Sequence, residues 1–189
     1  LPWYNAFSFL RTYAEIDQWS PDKGHHVGDN VLDQWILSRL QTLKARVAEE
    51  MEGYRLYNVV PQLFDFIEDL TNWYIRLNRA RFWGEDITAD KIAAFSTLYT
   101  ALYELCQVMA PFAPFLAEHV YRQLGALGGG EPTPASVHLC DYPTPEPQWF
   151  RPELESSVAL MQQVVLLGRQ KREEVKIGLR TPLRTLTVV

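Results

Sequence analysis

Residues 66–83 read FIEDLTNWYIRLNRARFW. Wound as a helix at about 100° per residue, they and Leu63 just upstream put Leu63, Ile67, Leu70, Tyr74 and Leu77 on one side. Asn72, Arg76, Arg79 and Trp83 follow one another at spacings of 4, 3 and 4 and line the opposite side. The segment thus predicts a helix with an apolar face and, behind it, a flat aromatic, an amide and two guanidiniums. Those side chains stack on bases and grip phosphates. A competing reading is a solvated face whose arginines pair with Asp65, Glu68 and Asp69, acids before bases as the helix dipole prefers. Trp73 and Tyr74 read as core aromatics.

The helical period extends outward over about the first 127 residues. A first, aromatic-rich helix covers 2–17 with Pro2 at its start. Trp3, Phe7 and Phe9 read as core there, and Asn5 is the polar exception. After the loop QWSPDKGHHVG, Asp29 or Asn30 caps a second helix with Leu32, Ile36, Leu40, Leu43, Val47 and Met51 on one stripe, ended by Gly53. The third helix spans roughly 55–83, with Pro61 in its first turns or kinking it. The fourth runs from about Asp90 to Pro111 and continues, after a break at APFAP, as PFLAEHVYRQLGAL. GGGEPTPA reads as a flexible linker, SVHL (136–139) as a strand or extended segment, and residues 141–152, with four prolines, as an extended surface loop. A fifth helix covers 153 to about 176, with Leu154, Val158, Met161 and Val165 on one stripe. The alternation in TPLRTLTVV after Gly178 predicts a strand. The expected fold is all-α: an up-and-down bundle of four to five helices with the start of a small α/β element at the C-terminus. Its expected parts are a bundle over 1–127, a linker and extended loop over 128–152, and a helix with a first strand over 153–189.

With 189 residues, 47% of them hydrophobic and 13% aromatic, the chain can bury a substantial core and is not disordered. No run of about 18 apolar residues predicts a membrane-spanning helix. LPWYNAFSFL lacks the basic start and cleavage site of a signal peptide. Without an initiator Met, and with a strand-like ending, the chain reads as a piece of a longer protein. Cys106 and Cys140 are too few and too far apart for a disulfide framework or a CxxC zinc site, and a reducing, cytoplasmic setting is expected.

The net charge of −5 argues at first against a nucleic-acid partner, but its distribution matters more than its sum. Residues 72–83 hold Arg76, Arg79 and Arg81 and no acid. Residues 168–184 hold Arg169, Lys171, Arg172, Lys176, Arg180 and Arg184 against Glu173 and Glu174. An acidic body with two basic zones suits selective RNA docking better than indiscriminate coating. The helix dipole accounts for cations around Arg169–Arg172 at a helix end, but not for Lys176, Arg180 and Arg184 beyond it.

Nothing predicts catalysis. His25 and His26 sit together in a loop, His119 lies on a helix beside Glu118, and His138 lies in an extended segment. None has a partner at metal-ligand or nucleophile–base spacing. No GxGxxG, P-loop or GxSxG occurs. No catalytic residue, metal site or cofactor is expected in this chain.

DQWILSRL (33–40), YRLYNVV (54–60), FIEDLTNWYIRLNRARFW (66–83), TLYTALYELCQVMAPFAPFLAEHVYRQL (97–124), SVHL (136–139) and REEVKIGLRTPL (172–183) occur in this order. Together they resemble the region that follows the catalytic domain in isoleucyl-tRNA synthetases, over nearly the whole chain. WILSRL and APFAPFLAE also look like valyl enzymes. DLTNWYIRLNRARFW is the discriminating block, and its wording is closest to the eukaryotic-like branch that some bacteria carry.

The resemblance implies the anticodon-binding bundle of a class I aminoacyl-tRNA synthetase, with isoleucine-specific tRNA and the catalytic domain of the same polypeptide as partners. It implies a cytoplasmic monomer that binds neither DNA nor membrane. In such a full-length enzyme a Rossmann domain uses ATP and Mg to attach isoleucine to tRNA. This chain has neither a HIGH-like nor a KMSKS-like motif. On this reading Asn5, Asn72, Arg76, Arg79 and Trp83 contact the loop bases, while Arg169, Arg172, Lys176 and Arg180 guide stem phosphates. The alternatives are the corresponding domain of a valyl-tRNA synthetase and a helical protein-interaction module without RNA binding.

Overall fold

The computed structural model describes residues 1–21, 28–129, 132–185 and 187. Most of the predicted loop at 18–28, with His25 and His26, two residues of the GGGEPTPA stretch and most of the final TVV lie outside them. The chain divides into two compact units, Leu1–Phe150 and Arg151–Val189. The fold is all-α. The first unit carries α1 (Pro2–Ile16), α2 (Val31–Glu52), α3 (residues 56–83), α4 (Ala89–Met109) and α5 (Pro114–Ala126); the second carries α6 (Pro152–Glu174). The predicted fourth helix is two helices. Pro114 cannot donate to the preceding turn, so the helix ends at Met109 and restarts with Pro114 at its first position.

Local chemistry sets the helix ends. Asn30 caps α2, its side chain accepting from Leu32 N at 2.9 Å. Thr88 caps α4 by accepting from Lys91 N at 3.1 Å. At the end of α2 the left-handed residue is Tyr54 (φ +55°), and Gly53 is at φ −83°. Arg55 N donates to Glu50 O at 2.8 Å and Tyr54 N to Met51 O at 3.0 Å, the bond pair that closes a Schellman turn. A tyrosine there bears a steric cost of about 1–2 kcal/mol that glycine would avoid.

SVHL is a single 3₁₀ turn, Val137–Leu139, rather than a strand. No described residue beyond Gly178 forms a strand either. A strand needs a partner to fill its hydrogen-bonding ladder, and the described residues offer none.

The largest departure from the expected pattern is inside α3. Its segments are Leu56–Glu68 (α), Asp69–Ile75 (π) and Arg76–Trp83 (α). The wider π turn admits one extra residue and delays the helix phase. The inward residues therefore run Leu63, Phe66, Ile67, Leu70, Tyr74, Asn78 and Phe82, and Leu77, expected in the core, is 52% exposed. Trp73, expected in the core, is half-buried. Pro61 sits exposed within the first segment.

Aromatic packing joins the helices: Phe9 of α1 meets Phe82 of α3 edge-on at 5.1 Å, and Phe82 meets Phe95 of α4 at 5.3 Å. Trp19 stacks on Phe95 at 5.3 Å. Beneath them lies a polar knot. Tyr74 donates its hydroxyl to Asp33 at 2.7 Å, and Arg81 grips both Asp33 oxygens at 2.8 and 2.9 Å. Arg81 also reaches Asp90 on α4 at 2.7 Å and Asn78 at 3.1 Å. Asp33 is fully buried, and the pairing offsets the cost of taking its carboxylate out of water. Burial, then the charge and hydrogen bond of Asp33, push the Tyr74 phenol well above its ordinary pKa. Burial alone disfavours the Arg81 cation, but its bonds to Asp33 and Asp90 outweigh that and keep it charged.

Residues 132–150 pack back onto the bundle. Glu118 on α5 accepts from Ser136 Oγ at 2.9 Å and Val137 N at 3.0 Å. Tyr121 donates to Pro134 O at 2.9 Å, and Glu146 N donates to Gln41 on α2 at 2.9 Å.

Candidate nucleic-acid interface

The bundle's acids decide which of its cations face water. Asp69, a suggested partner for the stripe arginines, holds Arg39 at 2.9 Å. Lys44 pairs with Glu104 at 2.7 Å, Lys91 with Asp17 at 2.5 Å, and Arg81 with Asp33 and Asp90. Arg76 and Arg79 are exposed and make no ion pair among the described residues. The reading of this face as a solvated ion-pair ladder therefore fails.

Asn72, Arg76, Arg79 and Trp83 are all exposed on α3. The Arg79 guanidinium carbon lies 5.9 Å from the centre of the Trp83 ring, which is 55% exposed. A cation over an indole face fixes both planes and leaves the remainder open to a third flat group. The π turn carries Asn72 and sets the phase of the arginines after it. The sequence carried a signal for that turn: Leu70, Tyr74, Asn78 and Phe82 keep a spacing of 4, which a regular α-helix would break with a 3.

Asn5 is exposed on α1, which packs against the π segment of α3. Among the described residues no hydrogen bond or ion pair joins Asn5 to Asn72, Arg76, Arg79 or Trp83, so it neighbours the stripe through the packing of its helix. His119 and His138 are exposed. His119 stands 6.0 Å from the ring of Tyr4. Among the described residues no group of three His, Cys, Asp or Glu could hold a metal, and no helix is long and apolar enough to cross a membrane.

The second basic zone lies in the other unit. Arg169, Lys176 and Arg180 are exposed, while Arg172 is half-buried and folds back, donating to Gly178 O at 2.9 Å and Thr181 O at 3.0 Å. Arg172 thus shapes the chain after α6, with Lys176 (φ +55°) at the left-handed position of the turn. Lys171 pairs with Glu174 at 2.9 Å. A cavity of about 470 Å³ in this unit has Val165, Ile177 and Leu183 in its walls and Arg169, Arg172 and Arg184 among its charged groups.

A profile of the family described as "Anticodon-binding domain of tRNA ligase" matches residues 33–187. The isoleucine–tRNA ligase of Bdellovibrio bacteriovorus is 44% identical over 189 residues, all of this chain and 18% of the relative. That of Chlamydia trachomatis is 43% identical over the same span and share. The cytoplasmic isoleucine–tRNA ligase of Saccharomyces cerevisiae is 41% identical, covering all of this chain and 19% of its own length. The chain therefore spans about a fifth of the length of these curated relatives.

Proposed function

Because the chain belongs to the family of tRNA-ligase anticodon-binding domains, in its isoleucine-ligase branch, we propose that it grips the anticodon stem-loop of an isoleucine-specific tRNA. The observation that carries this reading is the exposed Asn72–Arg76–Arg79–Trp83 stripe, whose two arginines lack acidic partners among the described residues of a chain of net charge −5. Two guanidiniums and an indole left together in water by a protein this acidic support a surface suited to RNA. In this reading Trp83 and Arg79 offer a stacking platform for an unpaired loop base. Arg76 meets the backbone, and the Asn72 amide offers a donor and an acceptor to a base edge. Asn5 lies at the margin of that surface. Arg169, Lys176 and Arg180 lead stem phosphates, with Arg172 shaping the turn that displays the last two.

The role is positional: the domain holds one end of the tRNA while other parts of a longer, monomeric cytoplasmic ligase act on its acceptor end. ATP and Mg supply the activation chemistry of that ligase. The residues of this chain do not fit them, since its sequence has no phosphate-binding loop motif and, among the described residues, no group of three His, Cys, Asp or Glu is placed to hold a metal ion.

Filter binding against purified isoleucine tRNA, across a salt series, tests the proposal. Affinity falls steeply with salt if phosphates are held. Arg76→Ala with Arg79→Ala weakens binding by about 1–3 kcal/mol while the melting temperature stays unchanged. Undiminished affinity in the folded double variant overturns the assignment. Equal affinity for valine tRNA overturns the specificity alone.

A further inference from the structure

The Trp83 indole and the Arg79 guanidinium over it stand at the end of α3, and the backbone beneath them decides where they stand. Every residue from Trp83 to Asp90 is exposed, so apolar burial does not hold this stretch. Backbone closure does not hold it either. α1 ends with Trp19 N donating to Ala14 O at 2.9 Å, and α2 with Arg55 N donating to Glu50 O at 2.8 Å. No backbone N–H from Gly84 to Thr88 folds back in that way onto the last turn of α3. Gly84 instead leaves the helix extended, at φ −57° and ψ 145°.

The tie comes from a side chain of α4. Lys91 is 2% exposed, and its ammonium donates to Gly84 O at 2.6 Å. Asp17, which caps the end of α1, pairs with the same ammonium at 2.5 Å, and the Phe95 ring centre lies 5.9 Å from it. Taking an ammonium out of water is costly, and these partners offset the cost. At the C-terminal end of α3 the cation also meets the negative pole of the helix dipole.

Asp90, one position earlier, grips Arg81 at 2.7 Å. Two consecutive residues in the first turn of α4 thus hold α3 on either side of Trp83, at Arg81 before it and at Gly84 after it. Arg81 is fixed by Asp33 as well, and Phe82 by Phe9 and Phe95, whereas Gly84 O is held by Lys91. We propose that Lys91 is a positioning residue for the RNA surface. Through Gly84 O it fixes the backbone at Trp83, and with it the plane on which a loop base stacks. The proposal rests on reading Trp83 and Arg79 as that stacking platform. A lysine that served only the bundle's stability would act through Asp17 and leave the indole where it is.

Lys91→Met combined with Asp17→Asn removes the ammonium without leaving a buried carboxylate unpaired. The first readout is the fluorine resonance of Trp83 in protein labelled with 5-fluorotryptophan, assigned by its loss in Trp83→Phe. Without tRNA, that resonance is expected to move toward the value of an unfolded chain in the double variant, while buried Trp35 keeps its own. The second is affinity for isoleucine tRNA in a mutant cycle. The double variant is expected to bind several-fold more weakly than the parent, and most of that loss disappears when both carry Trp83→Ala. If the double variant does not fold, Lys91→Gln with Asp17→Asn takes its place, since the Gln amide is one bond shorter and still pairs with Asn. An unmoved Trp83 resonance overturns the proposal, and so does an equal loss of affinity in the two backgrounds. If Trp83→Ala by itself leaves tRNA affinity intact, the platform reading falls, and the resonance alone still decides whether Lys91 positions the indole.

Discussion

Arg79 and Arg81 stand two positions apart on one helix and do unlike work. Arg79 faces water over Trp83, while Arg81 is nearly buried and closes the charge of Asp33. Arg81→Ala leaves a fully buried carboxylate without its cation and is expected to cost about 3–5 kcal/mol in urea unfolding. Arg79→Ala is expected to leave the unfolding midpoint in place and to act on RNA affinity alone. Either outcome reversed would exchange their roles. Sequence spacing separated them only in part. Arg81 fell outside the 4-3-4 stripe, but its partner Asp33 lies 48 positions away, beyond the reach of a helical wheel. The stripe residues were legible because exposure of a helix face follows from periodicity. Arg172 was less so, since its bonds to Gly178 O and Thr181 O depend on how the chain turns after α6.

Among the elements, the helices were legible from their apolar period and their caps, Asn30 above all. The predicted strands were not, since alternation within a segment says nothing about whether a partner ladder stands beside it. The π turn in α3 makes a sharp expectation. It holds one residue more than an α-helix needs to span the same rotation, so deleting exposed Asn72 lets the turn close as α. Tyr74, Asn78 and Phe82 then keep facing inward. Deleting exposed Ala80, in the regular segment, instead rotates Phe82 out of the core. Thermal melts followed by circular dichroism are expected to show a much smaller loss for the Asn72 deletion. A loss as large as that from deleting Ala80 would mean that the π turn does not set the register.

At the scale of the whole molecule, the Glu118 carboxylate is one of the groups that fasten residues 132–150 to the bundle. Burial raises the pKa of Glu118, but bonds from Ser136, Arg122 and Val137 N outweigh it and hold the carboxyl below its ordinary 4.5. A carboxyl with a lowered folded pKa contributes stability above its unfolded value and loses it as pH falls through the folded one. Hydrogen exchange of Val137 N–H is therefore expected to accelerate, relative to its intrinsic rate, as pH drops below about 4.5. Glu118→Gln should remove that pH dependence. Sequence reading took the GGGEPTPA stretch as a flexible linker because glycine and proline mark breaks in periodicity. The bonds that bind 132–137 to α5 come from residues 13 to 19 positions away.

Residues 56–83 run without a break from an apolar, acid-rimmed end to a cationic, aromatic end. At about 1.5 Å per residue the rod is about 40 Å long, and the polar knot around Asp33 clamps its far third to α2 and α4. The exposed Tyr57 and Phe64 at one end thereby hold a fixed distance from Arg76, Arg79 and Trp83 at the other. The helix is a measuring rod: lengthening it by one full turn would shift the Arg76–Arg79–Trp83 face by about 5 Å from the Tyr57–Phe64 end without altering a residue of either.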